Sequence, residues 1–321
     1  MADKARILIV DDEPKICQFL ETLLRREGYE TASVGGASDA LTTISESDYD
    51  LVVTDLRMPG MDGFELVQRI KSARRDLPVV MVTGYATVET AVQALRHGVD
   101  DYVTKPFNID EMRKVIARAL RASDAERETR EMQERCIAVL KEVTARLEAR
   151  DRYMNGHSRR VGDYACELGK VAGASSEEIA LLRTAADLHD IGKIVVSDAI
   201  IDKRSELTED ERDRIRDHPG IGDKLVEPLS FLASTRPVIR HHHERVDGTG
   251  YPDGLKGEAI PRLARILTIA DAYDAMTTER PYRPALSRDE AAREIQSCAG
   301  KQFDAALAET FRGKVVRRFN A

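Results

Sequence analysis

The hydrophobic pattern of the first 120 residues alternates between two periods. Short β-branched runs at 7–10, 51–54, 79–83 and 101–104, with a weaker one at 31–34, are separated by amphipathic stretches at 15–26, 37–45, 63–72, 87–97 and 109–120. Strands that are apolar along their whole length are buried on both faces, and the intervening helices supply the cover. The pattern predicts a doubly wound α/β domain built on a five-stranded parallel sheet.

Beyond this region the pattern changes. Residues 121–150 are dense in Glu and Arg and contain neither Gly nor Pro, while Cys136, Leu140, Val143 and Leu147 recur at steps of four, three and four. That spacing predicts a connecting helix with a narrow apolar seam, which either packs on its own chain or joins a second copy in a short coiled-coil contact. After residue 151 helical patterns at 158–171, 176–188, 208–217 and 288–298 predict an all-α domain, and Gly and Pro gather in a long loop at 246–261. The expected organisation is a domain at 1–122, a helical linker at 123–150 and a second domain at 151–321.

Charge and composition narrow the function. Lys and Arg number 49 against 56 Asp and Glu, a net charge of −7, so the chain has no global attraction for nucleic acid or anionic lipid. No basic recognition segment follows the first domain, which argues against a transcription factor. The longest apolar runs are about four residues, against about 20 in a membrane-spanning helix. With a charged start that lacks a signal-peptide core, the expected location is the cytoplasm. Cys17, Cys136, Cys166 and Cys298 lie far apart, as reduced thiols do.

In doubly wound sheets, functional groups collect at the carboxyl ends of the strands. Here those ends carry Asp11 and Asp12, Asp55, Thr83 and Lys105. Three converging carboxylates call for a hard divalent cation such as magnesium. One carboxylate can then attack a phosphoryl group, with Lys105 and the Thr83 hydroxyl stabilising the transferred oxygens. The ordered set Asp11-Asp12, VTDLRMPGMDG at 53–63, TGY at 83–85 and KPF at 105–107 resembles the receiver domain of response regulators. The resemblance implies that Asp55 is the phosphoacceptor, with a sensor histidine kinase as partner. It also implies magnesium held by Asp12 directly, Asp11 through water, Asp55 and the Arg57 carbonyl, with Thr83, Tyr102 and Lys105 forming the switch.

Six of the seven histidines lie in the second half: His157, His189, His218, His241, His242 and His243. A single buried histidine is usually a satisfied core residue, but this set is hard to explain by packing. His189 and Asp190 are expected on one helix across 184–193, where adjacent side chains diverge by about 100°. Asp190 can then bridge two metals while His189 binds one. His242 and His243 form a second adjacent pair, and His157, His218 and Asp271 can come from separate helices. Five imidazoles and two carboxylates suit two transition metals such as iron, manganese or zinc. His241 is left outside, because three consecutive side chains cannot easily reach one site.

The order of LHDIGK at 188–193, His218, HHERVDGTGYP at 242–252, AD at 270–271 and RPYR at 280–283 resembles the HD-GYP subgroup of HD phosphohydrolases, over residues 151–312. The resemblance implies hydrolysis of cyclic di-GMP to pGpG or GMP. Two adjacent metals can clamp the oxygens of an in-line displacement at phosphorus. Lys193 can neutralise developing phosphate charge, and Arg280 and Arg283 can hold phosphates through paired hydrogen bonds. The loop with Gly248, Gly250, Gly254 and Gly257 suits a substrate lip. Some members carry a glutamate for a third metal where this chain has Tyr153, so two metals are expected. Val196-Ser197 replaces a frequent Ile-Pro and bears on loop shape alone.

The combined expectation is a two-component output protein in which phosphorylation of Asp55 regulates a dimetal phosphodiesterase, with a homodimer through the receiver or linker helix. Hydrolysis of another cyclic dinucleotide, and a module that binds the messenger without cleaving it, are the alternatives.

Overall fold

Alternate side chains of a strand point to opposite faces of its sheet, and here both faces are apolar. The computed structural model describes residues 4–84, 88–150, 154–201, 203, 205–279 and 284–319. These form two units, 1–132 and 133–321.

In the first unit β1 (Arg6–Val10), β2 (Glu30–Val34), β3 (Leu51–Asp55), β4 (Val79–Thr83) and β5 (Asp101–Thr104) make one parallel sheet in the order β2-β1-β3-β4-β5. Leu8, Val10, Val52, Val79 and Met81 cluster with residues of α2 (Ala37–Glu46), α3 (Gly63–Ala73) and α4 (Val88–His97). Ile7, Ile9, Leu51, Val53, Val80 and Val82 cluster with α1 (Pro14–Arg26) and the first turns of α5 (Ile109–Arg150). The strand order reverses between β1 and β3, and ligand sites form where it does so. Asp11 and Asp55 stand at that point.

The helix expected at 109–120 and the linker helix are one element: α5 runs 42 residues without a break. Nothing in its sequence interrupts it, since it holds no Gly or Pro.

The second unit is helical. It comprises the end of α5, then α6 (His157–Val171), α7 (Ser176–Leu188), a 3₁₀ helix at Ile191–Val195, α8 (Asp198–Ile201), α9 (Glu209–Arg216), α10 (His218–Val226), α11 (Arg236–His241), α12 (Arg262–Thr277), α13 (Arg288–Ser297), α14 (Ala305–Thr310) and α15 (Val316–Phe319). Ser175, Thr208 and Ser287 start α7, α9 and α13 with reciprocal capping boxes to Glu178, Glu211 and Glu290. Each such box satisfies two otherwise unpaired backbone donors.

Helix α12, which the sequence pattern did not single out, is the centre of this unit. It buries Ala264, Ile266, Leu267, Thr268, Ile269, Ala270, Tyr273 and Asp274, so buried positions surround it and no amphipathic stripe marks it. Tyr273 meets Tyr164 and Phe311 edge-on at ring distances of 5.0 and 4.9 Å.

The inner end of α5 packs on its own unit. Ile137 and Leu140 rest on Leu188, Ile191, Val226, Leu232 and Ile239, while Val139 is 63% exposed. Lys141 Nζ lies 2.6 Å from Asp187 Oδ2, and the buried Glu148 accepts a hydrogen bond of 2.8 Å from the Ser158 amide. No helix among the described residues is long and apolar enough to cross a membrane.

Gly63 opens α3 against the end of β3, where an added Cβ would stand 2.4 Å from the Asp55 carbonyl oxygen. Gly63→Ala is expected to destabilise the first unit by roughly 1–3 kcal/mol, the usual cost of forcing atoms into a packed site. Urea unfolding of the full chain checks this; an unchanged first transition would show that the backbone yields without cost.

Candidate metal centre

The sequence placed His189 and Asp190 on a helix continuing to residue 193, and the structure corrects this. Helix α7 ends at Leu188, His189 is its cap, and Asp190 opens the 3₁₀ helix. A close crossing accompanies the bend: a Cβ on Gly192 would lie 1.9 Å from the His218 carbonyl oxygen. This bend still turns the His189 and Asp190 side chains into one buried cluster.

That cluster gathers all seven expected ligands. His157 comes from α6, His189-Asp190 from the α7 bend, His218 from the start of α10, His242-His243 from the end of α11 and Asp271 from α12. Three overlapping groups, His157-His189-Asp271, His189-Asp190-His242 and His218-His242-His243, each bring candidate ligand atoms within 4.8 Å of one another.

The hydrogen bonds fix which nitrogen of each ring faces inward. Nδ1 of His189, His218 and His242 meets the carbonyl oxygen three residues earlier, of Ala186, Ile215 and Ile239, at 2.7, 2.6 and 2.6 Å. A carbonyl only accepts, so Nδ1 donates and Nε2 presents a lone pair. Nδ1 of His157 meets Asp274 Oδ2 at 2.8 Å, to the same effect. The Nε2 atoms then face each other in two pairs, His157–His189 at 3.3 Å and His218–His242 at 3.2 Å. Facing lone pairs at that distance repel unless positive charge joins them.

Asp190 lies between the pairs. Its Oδ2 is 3.5 Å from His189 Nε2 and 3.9 Å from His157 Nε2, while Oδ1 is 3.2 Å from His218 Nε2. Oδ1 is buried and makes no hydrogen bond, a costly state for a carboxylate oxygen without a cation. The donor set therefore fits two metal ions with Asp190 between them.

Electrostatics agree. Burial raises the Asp190 carboxyl, but Lys193 and His189 outweigh it and hold it well below the ordinary range. Asp271 is likewise buried yet held low, chiefly by its bond to His157. Burial opposes charge on His157, but Asp271 and Asp274 lift its pKa to about 9, so with no ion at this corner Nε2 carries a proton toward Asp271, and a cation bound there would take that proton's place. Burial and neighbouring histidines depress His242, and burial pushes His243 down to about 3, which leaves both rings neutral as ligands must be.

The first unit holds a second acidic site. Lys105 Nζ donates to Asp55 Oδ1 at 2.7 Å and to Asp11 Oδ2 at 3.0 Å. The other oxygens accept backbone amides, Asp55 Oδ2 from Arg57 at 2.7 Å and Asp11 Oδ1 from Glu13 at 2.8 Å. Burial raises the Asp11 carboxyl, and on Lys105 burial is outweighed by the two carboxylates, which hold it above its usual value. Thr83 is buried at the end of β4, Asp12 is exposed, and Tyr102 on β5 is 45% exposed.

Residues 7–117 match the response regulator receiver domain family and residues 142–307 match the HD domain family. The cyclic di-GMP phosphodiesterase response regulator RpfG of Xanthomonas campestris pv. campestris is 33% identical over 319 residues, spanning 93% of this chain and 84% of that protein. The chain is an HD-domain response regulator. A cyclic di-GMP phosphodiesterase of Thermotoga maritima is 31% identical over 95% of this chain and 89% of that protein. The 3'3'-cGAMP-specific phosphodiesterase 3 of Vibrio cholerae is 40% identical over 45% of this chain and 32% of that protein.

In this HD-domain response regulator Lys193 Nζ donates to Asp190 Oδ2 at 2.6 Å, and the 3₁₀ turn brings it there. His241, the first of the three consecutive histidines, turns away from the cluster to Asp253 Oδ2 at 2.9 Å. Arg280, Arg283, Tyr85 and Tyr153 lie outside the described residues. Two site residues escaped the sequence reading. Asp274, one turn after Asp271, orients His157, and the buried Glu244 accepts the Asp253 and Leu255 amides at 2.8 and 3.0 Å, fastening the Gly-rich loop. The i, i+3 spacing of Asp271 and Asp274 was the available signal for the first.

Gly192→Ala is expected to push His218 out of register and reduce the metal bound per folded chain, read by elemental analysis alongside circular dichroism. Full metal content in the variant would show that the crossing can widen without moving the ligands.

Proposed function

We propose that this HD-domain response regulator hydrolyses cyclic di-GMP to pGpG or GMP at a centre of two transition-metal ions, under control of phosphorylation at Asp55. The observation that carries the reading is the pairing of inward Nε2 atoms on either side of Asp190. His157, His189 and Asp271 would hold one ion, His218, His242 and His243 the other, and Asp190 both. Bound iron, manganese or zinc supplies Lewis acidity and an activated water for in-line attack at phosphorus.

The chain's own groups do the rest. Lys193 keeps Asp190 ionised and puts positive charge beside the phosphate. Arg280 and Arg283 hold phosphate oxygens by paired hydrogen bonds. The loop fastened by Glu244 forms the lip over the substrate. In the receiver, magnesium is held by Asp11, Asp12, Asp55 and the Arg57 carbonyl. A sensor histidine kinase supplies the phosphoryl group, and Lys105, already on Asp55, passes to the transferred oxygens. Thr83 and Tyr102 register the change. Residues 1–122 act as receiver, 123–150 as connector and 151–321 as output. The connector's hold on Ser158, Asp187 and the Leu188–Ile191 cluster supports its role, and its exposed Val139 side is where two copies would pair.

The alternative substrate is 3'3'-cGAMP, the nucleotide named for the Vibrio cholerae enzyme that is similar over 145 residues. Turnover of both dinucleotides by anaerobically purified, iron- or manganese-loaded protein separates the two. Preference for cyclic di-GMP is expected; no product from either, by metal-loaded protein with and without a phosphodonor, would leave a binding module. Asp190→Asn is expected to cost more than the roughly 100-fold lost when an outer partner of a ligand is removed. Asp55→Asn is expected to make turnover indifferent to acetyl phosphate; a response equal to that of the unaltered chain would place the switch elsewhere.

A further inference from the structure

His157 is oriented differently from the other three buried rings of the centre. His189, His218 and His242 each use a carbonyl three residues back, which a helix end provides without further design. For His157, in the first turn of α6, the carbonyl three residues back, that of Met154, accepts the His157 backbone amide at 2.9 Å. Its Nδ1 is met instead by Asp274 from α12, 117 residues away in sequence.

Two carboxylates one turn apart on α12 thus grip the two nitrogens of one ring. Asp271 Oδ1 lies 3.3 Å from Nε2 on the metal side, and Asp274 Oδ2 lies 2.8 Å from Nδ1 on the far side. Asp274 is itself clamped by Arg160, one turn along α6 from His157. Nε donates to Oδ1 at 2.6 Å and a terminal nitrogen to Oδ2 at 3.0 Å. Arg160 is further tied to the Asn155 carbonyl at 2.7 Å. A two-point guanidinium contact fixes both position and rotation of a carboxylate. Asp274 is 1% exposed, so no water competes for it.

We propose that Asp274 is a positioning residue that, with Arg160, aims His157 and so sets how tightly one of the two metal ions is held, leaving the other untouched. This rests on the dimetal reading above. Partners of ligand histidines typically contribute roughly 10- to 100-fold to metal affinity. Here the contribution is confined to the His157–His189–Asp271 side, because the rings of His218 and His242 are aimed by their own backbone.

The test uses the full-length chain, loaded anaerobically with manganese, with ions counted per chain and affinities taken from chelator competition. Electron paramagnetic resonance separates a coupled manganese pair from a single ion. Asp274→Ala is expected to weaken one ion by roughly 10- to 100-fold and to replace the pair signal with a single-ion signal at limiting manganese. Asp274→Asn keeps an acceptor for Nδ1 and the shape of the site, and is expected to recover much of the loss. Two ions held as tightly in Asp274→Ala as in the unaltered chain would overturn the proposal. So would equal loss of both ions in Asp274→Ala and Asp274→Asn, the mark of a merely structural role. A single ion in the unaltered chain would instead sink the dimetal reading itself.

Discussion

Four buried imidazoles give their Nδ1 hydrogen to the protein, and the centre of this HD-domain response regulator depends on that act. Once the outward nitrogen donates, the inward one of a neutral ring can only accept, and four such nitrogens converge beside a buried carboxylate. The protein thereby concentrates unsatisfied lone pairs where packing alone would exclude them. Positive charge answers that arrangement, and the inward nitrogens fall into two groups.

The surrounding fold serves this constraint. Helices α7 and α11 end, and α10 begins, at the ligands, because a terminus is where a side chain can both reach a nearby carbonyl and leave the helix direction. The bend at Gly192 lets His189 and Asp190 diverge while Lys193 returns to the carboxylate. Helix α12, with buried residues around it, is the fixed post that carries Asp271 toward Nε2 of His157 and Asp274 toward Nδ1. In the receiver a related economy holds: Lys105 neutralises Asp11 and Asp55 at the point where the strand order reverses.

The parallel sheet was legible because β-branched runs such as 51–54 and 79–83 have no helical reading, and carboxylates such as Asp55 mark the working edge. The seven residues that the structure gathers into one cluster were legible because histidines beside aspartates are costly without a function. Helix α12 was not, since burial on every side erases the period that reveals a helix. The break after Leu188 was hidden for another reason: it accompanies a crossing between Gly192 and the His218 carbonyl, 26 residues later in the chain. Asp274 and Glu244 were obscure because their work is to hold other residues, which spacing along the chain does not advertise.

The contrast between local and distant hydrogen bonds also orders events in time. His189, His218 and His242 are aimed by bonds that span three residues, so they are set as soon as their own turns form, on the fast timescale of local helix closure. His157 waits for α6 to dock on α12, a contact of long sequence separation and correspondingly slow formation. Three of the four rings can therefore be oriented by their own turns, without α12. Of the four rings, His157 is the last to be aimed.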